Sequence, residues 1–424
     1  MANKETIKVL MFGWEFPPFA SGGLGTACYG LTKGLSRSGR VQITFVLPSL
    51  PGDIDENHMK ILTADNLGLD KSKIKFRTVN SVLRPYITSK TYSKKKFGLE
   101  GMPDIDNEIY GTGLFEEVER YAQQAKVIAE QEDFDVIHCH DWLTYPCGIE
   151  AQKVSEKKGK RVPLIAHIHA TEFDRTIGHP NSHVYEIEKR GMDSADYIIS
   201  VSNYTKNIVV ERYGIKPEKI MVVHNSIEPR KTRQPVNSMV KKHHKIVLFL
   251  GRITIQKGPD HFLWLAKRIV ELDNSIRFVM VGSGDMFPHI IEEAANLGIG
   301  DKVLFADFMS GDDVDKAYQM ADVYVMPSIS EPFGITALEA IANGTPTIIS
   351  KQSGVSEVVK NCLLADFWDV DEMANKILAV LNYTALKETL VEEGLDEIGG
   401  FSWDTSAQKC IDVYGKAILE VHRL

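Results

Sequence analysis

Short runs of consecutive apolar, β-branched residues recur along this chain with helix-patterned segments between them. In the first half they are "IKVLMFGW", "VQITFVLPS", "FDVIHCH", "VPLIAHIH", "ADYIISVS" and "IMVVHNS"; in the second, "KIVLFLGR", "IRFVMVGSG", "KVLFADF", "ADVYVMPS", "TPTIIS" and "CLLAD". Each is apolar on successive rather than alternate positions. That suits a strand buried on both faces, as in a parallel sheet. Intervening segments such as "LFEEVERYAQQAKVIAEQ" and "PDHFLWLAKRIVELD" have apolar residues at helical spacing. Such alternation builds right-handed βαβ units and a doubly wound α/β fold.

The alternation breaks once. "EPRKTRQPVNSMVKKHHK", Glu228 to Lys245, is polar and basic and holds two prolines, the character of an interdomain linker. We therefore expect two Rossmann-like domains facing a cleft: residues 1–228, a linker at 229–244, and residues 245–400. An amphipathic C-terminal helix at 401–424 should cross back toward the first domain. A length of 424 residues suits two domains.

With 43% hydrophobic and 25% charged residues the composition is globular, and a net charge of −8 argues against nucleic acid as the partner. Two basic clusters stand out: Lys90, Lys94, Lys95 and Lys96, then Lys157, Lys158, Lys160 and Arg161. Solvated loops are the plainer reading; attraction to an anionic acceptor or peripheral contact with a membrane surface is the sharper one. Five widely spaced cysteines without a C-x-x-C pair read as free thiols in a reducing compartment. The short apolar run before Trp14 reads as a strand rather than a signal peptide, and no run reaches membrane-spanning length. A cytoplasmic location is expected; the oligomeric state is left open.

Ligands of open α/β sheets sit beyond the C-terminal ends of strands, so the polar residues there matter most. After the first strand, Gly22, Gly23 and Gly25 enter a helix, where backbone N–H groups favour an anion and glycine permits close approach. A structural tight turn fits them equally well. The spacing is neither G-x-G-x-x-G nor Walker A. "VIHCHDW" places Asp141 and Trp142 at a strand end, a carboxylate and an apolar ring suited to a sugar. The alternative is a helix cap by Asp141 with Trp142 in the core. "LIAHIHATEFD" holds His167 and His169, which we expect on opposite faces of the sheet, with His169 toward the cleft and His167 packed in the core. No third ligand at sensible spacing accompanies them, so no metal is expected.

"FLGRITIQKG" puts Arg252 and Lys257 after a strand and before a helix, two cations suited to a diphosphate. The three acids of "SGDDVD" read as a helix start. In "SISEPFGITALEAIANG", Glu331 follows a strand and a helix opens near Phe333, Gly334, Ile335 and Thr336, whose N–H groups can face a phosphate. Glu339, about two turns along, shares the Ile335 side and can reach a ribose, while Glu331 can reach the sugar on the phosphate.

The pair Glu331 and Glu339 resembles the E-x7-E motif of retaining glycosyltransferases with two Rossmann-like domains, the GT-B fold. "SGGLG", "HDW", "HATEFD", "VSNYTKNIVVERYGI", "VVHNSIE", "GRITIQKG", "VGSGD", "EPFGITALEA" and "GTPTIISKQSGVSEVV" extend the resemblance in order over nearly the whole chain. It looks like the family 4 group that borders bacterial and archaeal glycogen synthases. The "GWEFPP…GGLG" opening and "HDW" are synthase-like; "EPFGITALEA" departs from the synthases' usual "EPCGLTQL" toward family 4.

The resemblance implies that Arg252 and Lys257 hold the donor diphosphate and that Gly22 and Gly23 close over it. His169 would contact the hexose near the reacting carbon, with Asp141 and Trp142 near the sugars. Glu331 would take the hexose hydroxyls and Glu339 the ribose. The substrate would be a UDP-, ADP- or GDP-hexose, with no cofactor required. The acceptor would be a glycan, α-glucan first and a lipid-linked or surface polysaccharide second. A nucleotide-sugar epimerase and a phosphorylase match the motifs poorly. A non-catalytic nucleotide-sugar-binding regulator is the alternative from another class.

Overall fold

The computed structural model describes residues 6–17, 22–48, 74–79, 112–228 and 244–422. The Lys90–Lys96 cluster and residues 229–243 of the expected linker lie outside them.

The first sheet is built from β1 (Ile7–Phe12), β2 (Val41–Pro48), β3 (Ile74–Val79), β4 (Val136–His140), β5 (Leu164–Ile168), β6 (Tyr197–Ser200) and β7 (Ile220–Val222). Its helices are α1 (Gly23–Arg37), α2 (Thr112–Gln131), α3 (Tyr145–Lys157), α4 (Glu172–Arg175), α5 (Ser182–Ser194) and α6 (Asn203–Tyr213). The strands pair in parallel in the order β3-β2-β1-β4-β5-β6-β7. Val9 of β1 lies opposite Ile43 on one side and Val136 on the other. Both faces are covered, as the consecutive apolar runs require. Leu10 and Phe12 pack with Val118 and Tyr121 of α2, and Val9 and Met11 with Cys28 and Leu31 of α1.

The second sheet holds β8 (Ile246–Leu250), β9 (Arg277–Val281), β10 (Val303–Ala306), β11 (Val323–Met326), β12 (Thr347–Ser350) and β13 (Leu363–Ala365), parallel in the order β10-β9-β8-β11-β12-β13. Its helices are α7 (Pro259–Leu272), α8 (Phe287–Asn296), α9 (Asp312–Met320), α10 (Ile335–Ala342), α11 (Val370–Asn382) and α12 (Thr384–Ile398). The acids of "SGDDVD" do begin a helix: Asp312, Asp313 and Asp315 occupy the first turn of α9.

Chain order reverses between β1 and β4 in the first sheet and between β8 and β11 in the second. These are the switch points where the strands diverge and leave a crevice at their C-terminal ends. The segments that follow β1, β4, β8 and β11 carry Gly22, Asp141, Arg252 and Glu331.

The last helix, α13 (Trp403–Val421), lies against α1 of the first sheet. Two glycines of α1 make the approach close. A Cβ on Gly30 would stand 2.1 Å from the Trp403 indole, and one on Gly34 would stand 2.5 Å from the Trp403 carbonyl oxygen. The second neighbour is backbone and has little room to yield. Gly34→Val is therefore expected to cost about 1–3 kcal/mol, the range for overpacking. The urea midpoint should fall, and limited proteolysis should cut first near residue 403.

Three of the four cations in the Lys157–Arg161 stretch make contacts within the protein. Lys158 donates to the carbonyls of Ala129 and Glu130 at the end of α2. Lys160 pairs with Asp135 at 2.9 Å and Arg161 with Asp196 at 2.7 Å.

Candidate active site

In the second domain, Glu331 is 5% exposed. Its Oε2 accepts from Lys257 Nζ at 2.5 Å and from Ser328 Oγ at 3.1 Å. Arg252 Nη2 reaches Gln256 Oε1 at 3.4 Å. Lys257 ends a short 3-10 turn and Gly258 follows with φ +65°. A Cβ at Gly258 would lie 2.2 Å from the Pro327 carbonyl oxygen, so glycine brings the Lys257 turn against the loop that carries Glu331. Gly334 caps α10 with φ 109°. After it, the first-turn N–H groups of Ile335 and Thr336 have no intrahelical acceptor. Phe333 is buried, with its ring 6.1 Å from that of His224. Glu339 is half-buried, as is Ile335, and accepts from Tyr318 Oη at 3.2 Å.

Across the cleft, Gly22 caps α1 in an extended conformation without a side chain, and a Cβ on Gly23 would meet open space. The first turn of α1 carries no acid of its own to offset the N-terminal partial charge.

Asp141 is 3% exposed and has φ 60° and ψ 172°, a strained backbone conformation that residues other than glycine rarely adopt. Its Oδ1 accepts from the His169 N–H at 2.7 Å and the Ala170 N–H at 3.3 Å, and its Oδ2 lies 3.6 Å from Arg175. It makes no side-chain cap bond to the turn that follows. The carboxylate thus shapes the β5–α4 corner that presents His169. Trp142 is corrected: at 4% exposure it packs in the core, its ring 6.2 Å from Phe115, and offers no face to a sugar.

The two histidines are also corrected. Positions two apart share a face of a strand; His167 and His169 stack at 4.2 Å between ring centroids. His138 and His140 of β4 stack beside them at 4.4 Å. His138 Nε2 lies 3.1 Å from His167 Nδ1, and His140 Nδ1 lies 2.9 Å from His169 Nε2. The result is a ladder of two hydrogen-bonded rungs, closed at its inner end by Tyr414 Oη, 2.6 Å from His138 Nδ1. Neighbours of His169 that sequence spacing did not show are supplied by other elements. Cys28, His140 and His169 bring ligand atoms within 4.8 Å of one another, as do His138, His140 and His167. Burial holds all four imidazoles neutral, with His169 down to about 3 and the Arg175 charge adding to the effect.

Arg175 anchors a second network that the sequence did not reveal. It pairs with Glu188 at 2.9 Å, Asp141 at 3.6 Å and Glu172 at 3.7 Å, all three carboxylates buried. Burial lifts Glu188 to about 7, against the pull of Arg175 and the Tyr213 hydroxyl. A carboxyl raised on folding adds stability that is fully present below about pH 4.5 and lost as pH rises through about 7. Glu188→Gln should remove that slope. Urea midpoints of wild type should fall between pH 5 and 8 more steeply than those of the variant.

Direct contacts join the two sheets' units around Glu331. Ser330 Oγ donates to Asp174 Oδ1 at 2.5 Å and meets Tyr204 Oη at 3.0 Å. The Pro332 carbonyl accepts from Ser202 Oγ at 2.6 Å. Glu357 accepts from the Asn203 and Tyr204 N–H groups at 2.9 and 2.6 Å, capping α6 from the other domain. The Glu331 loop is thereby held against the corner that follows His169.

Comparison with known proteins now decides the family. Residues 8–222, half of the chain, match the starch synthase catalytic domain family, and residues 230–396 match glycosyl transferases group 1. The chain is a GT-B glycosyltransferase. An uncharacterized glycosyltransferase of Methanocaldococcus jannaschii is 28% identical, aligned over 96% of this chain and 98% of its own. The glycogen synthase of Mycobacterium tuberculosis is 24% identical over 96% of this chain and 94% of its own. Among solved structures, sucrose-phosphate synthase from Thermosynechococcus elongatus superposes with a TM-score of 0.74 at 19% identity, covering 98% of this chain and 100% of that one. Anabaena HepE, solved with UDP and glucose, gives 0.67 at 16% identity over 97% and 100%. The glycosyltransferase therefore borders the glycogen and starch synthases. Among its described residues no helix is long and apolar enough to cross a membrane.

Proposed function

We propose that this glycosyltransferase moves a hexose, glucose first, from a nucleoside diphosphate to a growing α-glucan, with retention at the anomeric carbon. The observation that carries the reading is the Lys257–Glu331 pair at 2.5 Å beside the N-terminus of α10, at the switch point of the second sheet. Residues 245–400 form the donor side and residues 1–228 the acceptor side, divided at the linker 229–244. The glycogen synthase relative and the starch-synthase match of the first half support a glucan acceptor. The UDP and glucose in the Anabaena neighbour support a nucleotide-sugar donor.

Arg252 and Lys257 take the diphosphate together with the N–H groups that begin α10, while Gly22 and Gly23 close over it from α1. Glu331 accepts from hexose hydroxyls and Glu339 from the ribose. His169, neutral and backed by Asp141, borders the reacting carbon. As the glycosidic bond breaks, charge grows on the departing diphosphate. Fixed cations and N–H dipoles stabilise it, at about 2–4 kcal/mol for each donor group. The same phosphate oxygen accepts the proton of the attacking hydroxyl on the face the leaving group vacates. The five cysteines, all free and buried, suit a cytoplasmic enzyme.

The test is nucleoside diphosphate release from UDP-, ADP- and GDP-glucose, with and without glycogen. Release stimulated by glycogen supports the α-glucan reading and names the base. Release indifferent to glycogen keeps the transferase and moves the acceptor to lipid-linked or small molecules. Tight donor binding without release under any acceptor favours a non-catalytic sensor.

A further inference from the structure

The histidine ladder leaves one chemical question open: which nitrogen of His169 carries its hydrogen. We propose that His140 is a positioning residue that donates its Nδ1–H to His169 Nε2 and so fixes His169 as the Nδ1–H tautomer. The inference rests on the placement of His169 beside the donor sugar given above.

His140 Nδ1 and His169 Nε2 are 2.9 Å apart, and each ring has a single hydrogen when neutral. Among the described residues, His140 Nε2 and His169 Nδ1 are buried without a hydrogen-bond partner. If His169 donates, the remaining N–H is His140 Nε2. That atom belongs to a ring with no exposed surface, stacked between His138 at 4.4 Å and Phe45 at 6.1 Å. If His140 donates, its Nε2 is a bare acceptor and the N–H falls on His169, the half-buried ring of the two. Once a sugar oxygen meets His169 Nδ1, the first arrangement still leaves an orphaned N–H at His140 Nε2, whereas the second leaves only a bare acceptor there; orphaned buried N–H groups are the rarer of the two, which favours the second arrangement. The arrangement leaves His169 Nδ1–H as an unsatisfied donor on the ring nearest the cleft, the group that a bound sugar oxygen would satisfy. Free histidine has no such constraint on its tautomer, so the ladder supplies it.

The proposal is tested first by spectroscopy on the intact wild-type protein. With nitrogen-15 histidine, long-range proton–nitrogen correlation at neutral pH should show His169, assigned by its own substitution, as the Nδ1–H tautomer. An Nε2–H pattern overturns the proposal. Kinetics provide the second arm. His140→Leu should lower kcat by roughly tenfold or more, since a misplaced group near the reacting centre costs on that order. The KM for the nucleotide sugar should stay within about threefold of wild type, because the diphosphate contacts are untouched. His140→Asn puts an amide donor where Nδ1 stood and should recover most of kcat, although its unfolding midpoint is no higher than that of His140→Leu. Activities that rank with the two midpoints would reduce His140 to a packing residue and contradict the proposal. A wild-type protein that releases no nucleoside diphosphate would defeat the transferase reading; the tautomer spectrum would still decide this one.

Discussion

Lys257→Ala lowers kcat by roughly 100-fold, the loss expected when one preorganised donor to a developing anion is removed. In the free protein the ammonium serves Glu331 at 2.5 Å, so the substitution also leaves a carboxylate that is 5% exposed, still accepting from Ser328 Oγ but without its cation. A stability loss of about 1–3 kcal/mol follows from that unpaired group. Two effects then coincide in one variant and must be separated. Lys257→Ala combined with Glu331→Gln removes the stranded charge while keeping the side-chain volume. The pair should regain most of the unfolding midpoint and none of the turnover. Glu331→Ala alone should also lose at least about tenfold, through the hexose hydroxyls it no longer holds. Near-normal turnover in Lys257→Ala and Glu331→Ala would remove the diphosphate and hexose assignments together.

Arg175→Met is expected to destabilise the first domain by about 3–5 kcal/mol near pH 8, the range for breaking a buried ion pair from one side. The substitution takes the shared cation from Asp141, Glu172 and Glu188 at once. Without it, the Asp141 and Glu188 carboxyls, already raised by burial, rise further and fold best when protonated. The deficit should therefore shrink as pH falls from 8 toward 5, the sign that linkage requires for groups raised on folding. Urea titrations of wild type and variant at pH 8, 6.5 and 5 decide it. A deficit independent of pH would mean that lost packing, not lost charge, governs the site.

The fold was legible because parallel strands buried on both faces must be apolar on successive positions, and β1, β4, β8 and β11 are. Lys257, Glu331 and Gly334 were placed by the same reasoning, and each does follow a strand end where the chain order reverses. Contacts between distant segments were not legible. Glu357 caps a helix 154 residues earlier, and Ser330 meets Asp174 across 156; neither residue type signals its partner. The ladder needs His140 and His167 in register on neighbouring strands, which no local pattern announces. Its like-sided placement of His167 and His169 was available from strand periodicity, and the opposite-face expectation misapplied that rule. Trp142 went astray for a different reason. A strand-end tryptophan can turn out or in, and the 3-10 turn that decides it depends on the packing of Phe115 and α3.

The most direct test of transfer itself is the linkage it makes. Purified enzyme is incubated with glycogen and nucleoside-diphosphate glucose labelled with carbon-13 at C1, using whichever base supports release, and the polymer is read by NMR. One new α-linked glucose per diphosphate released is the predicted result. A β-linkage would contradict retention, and diphosphate released with the label recovered only as free glucose would contradict transfer to a glucan.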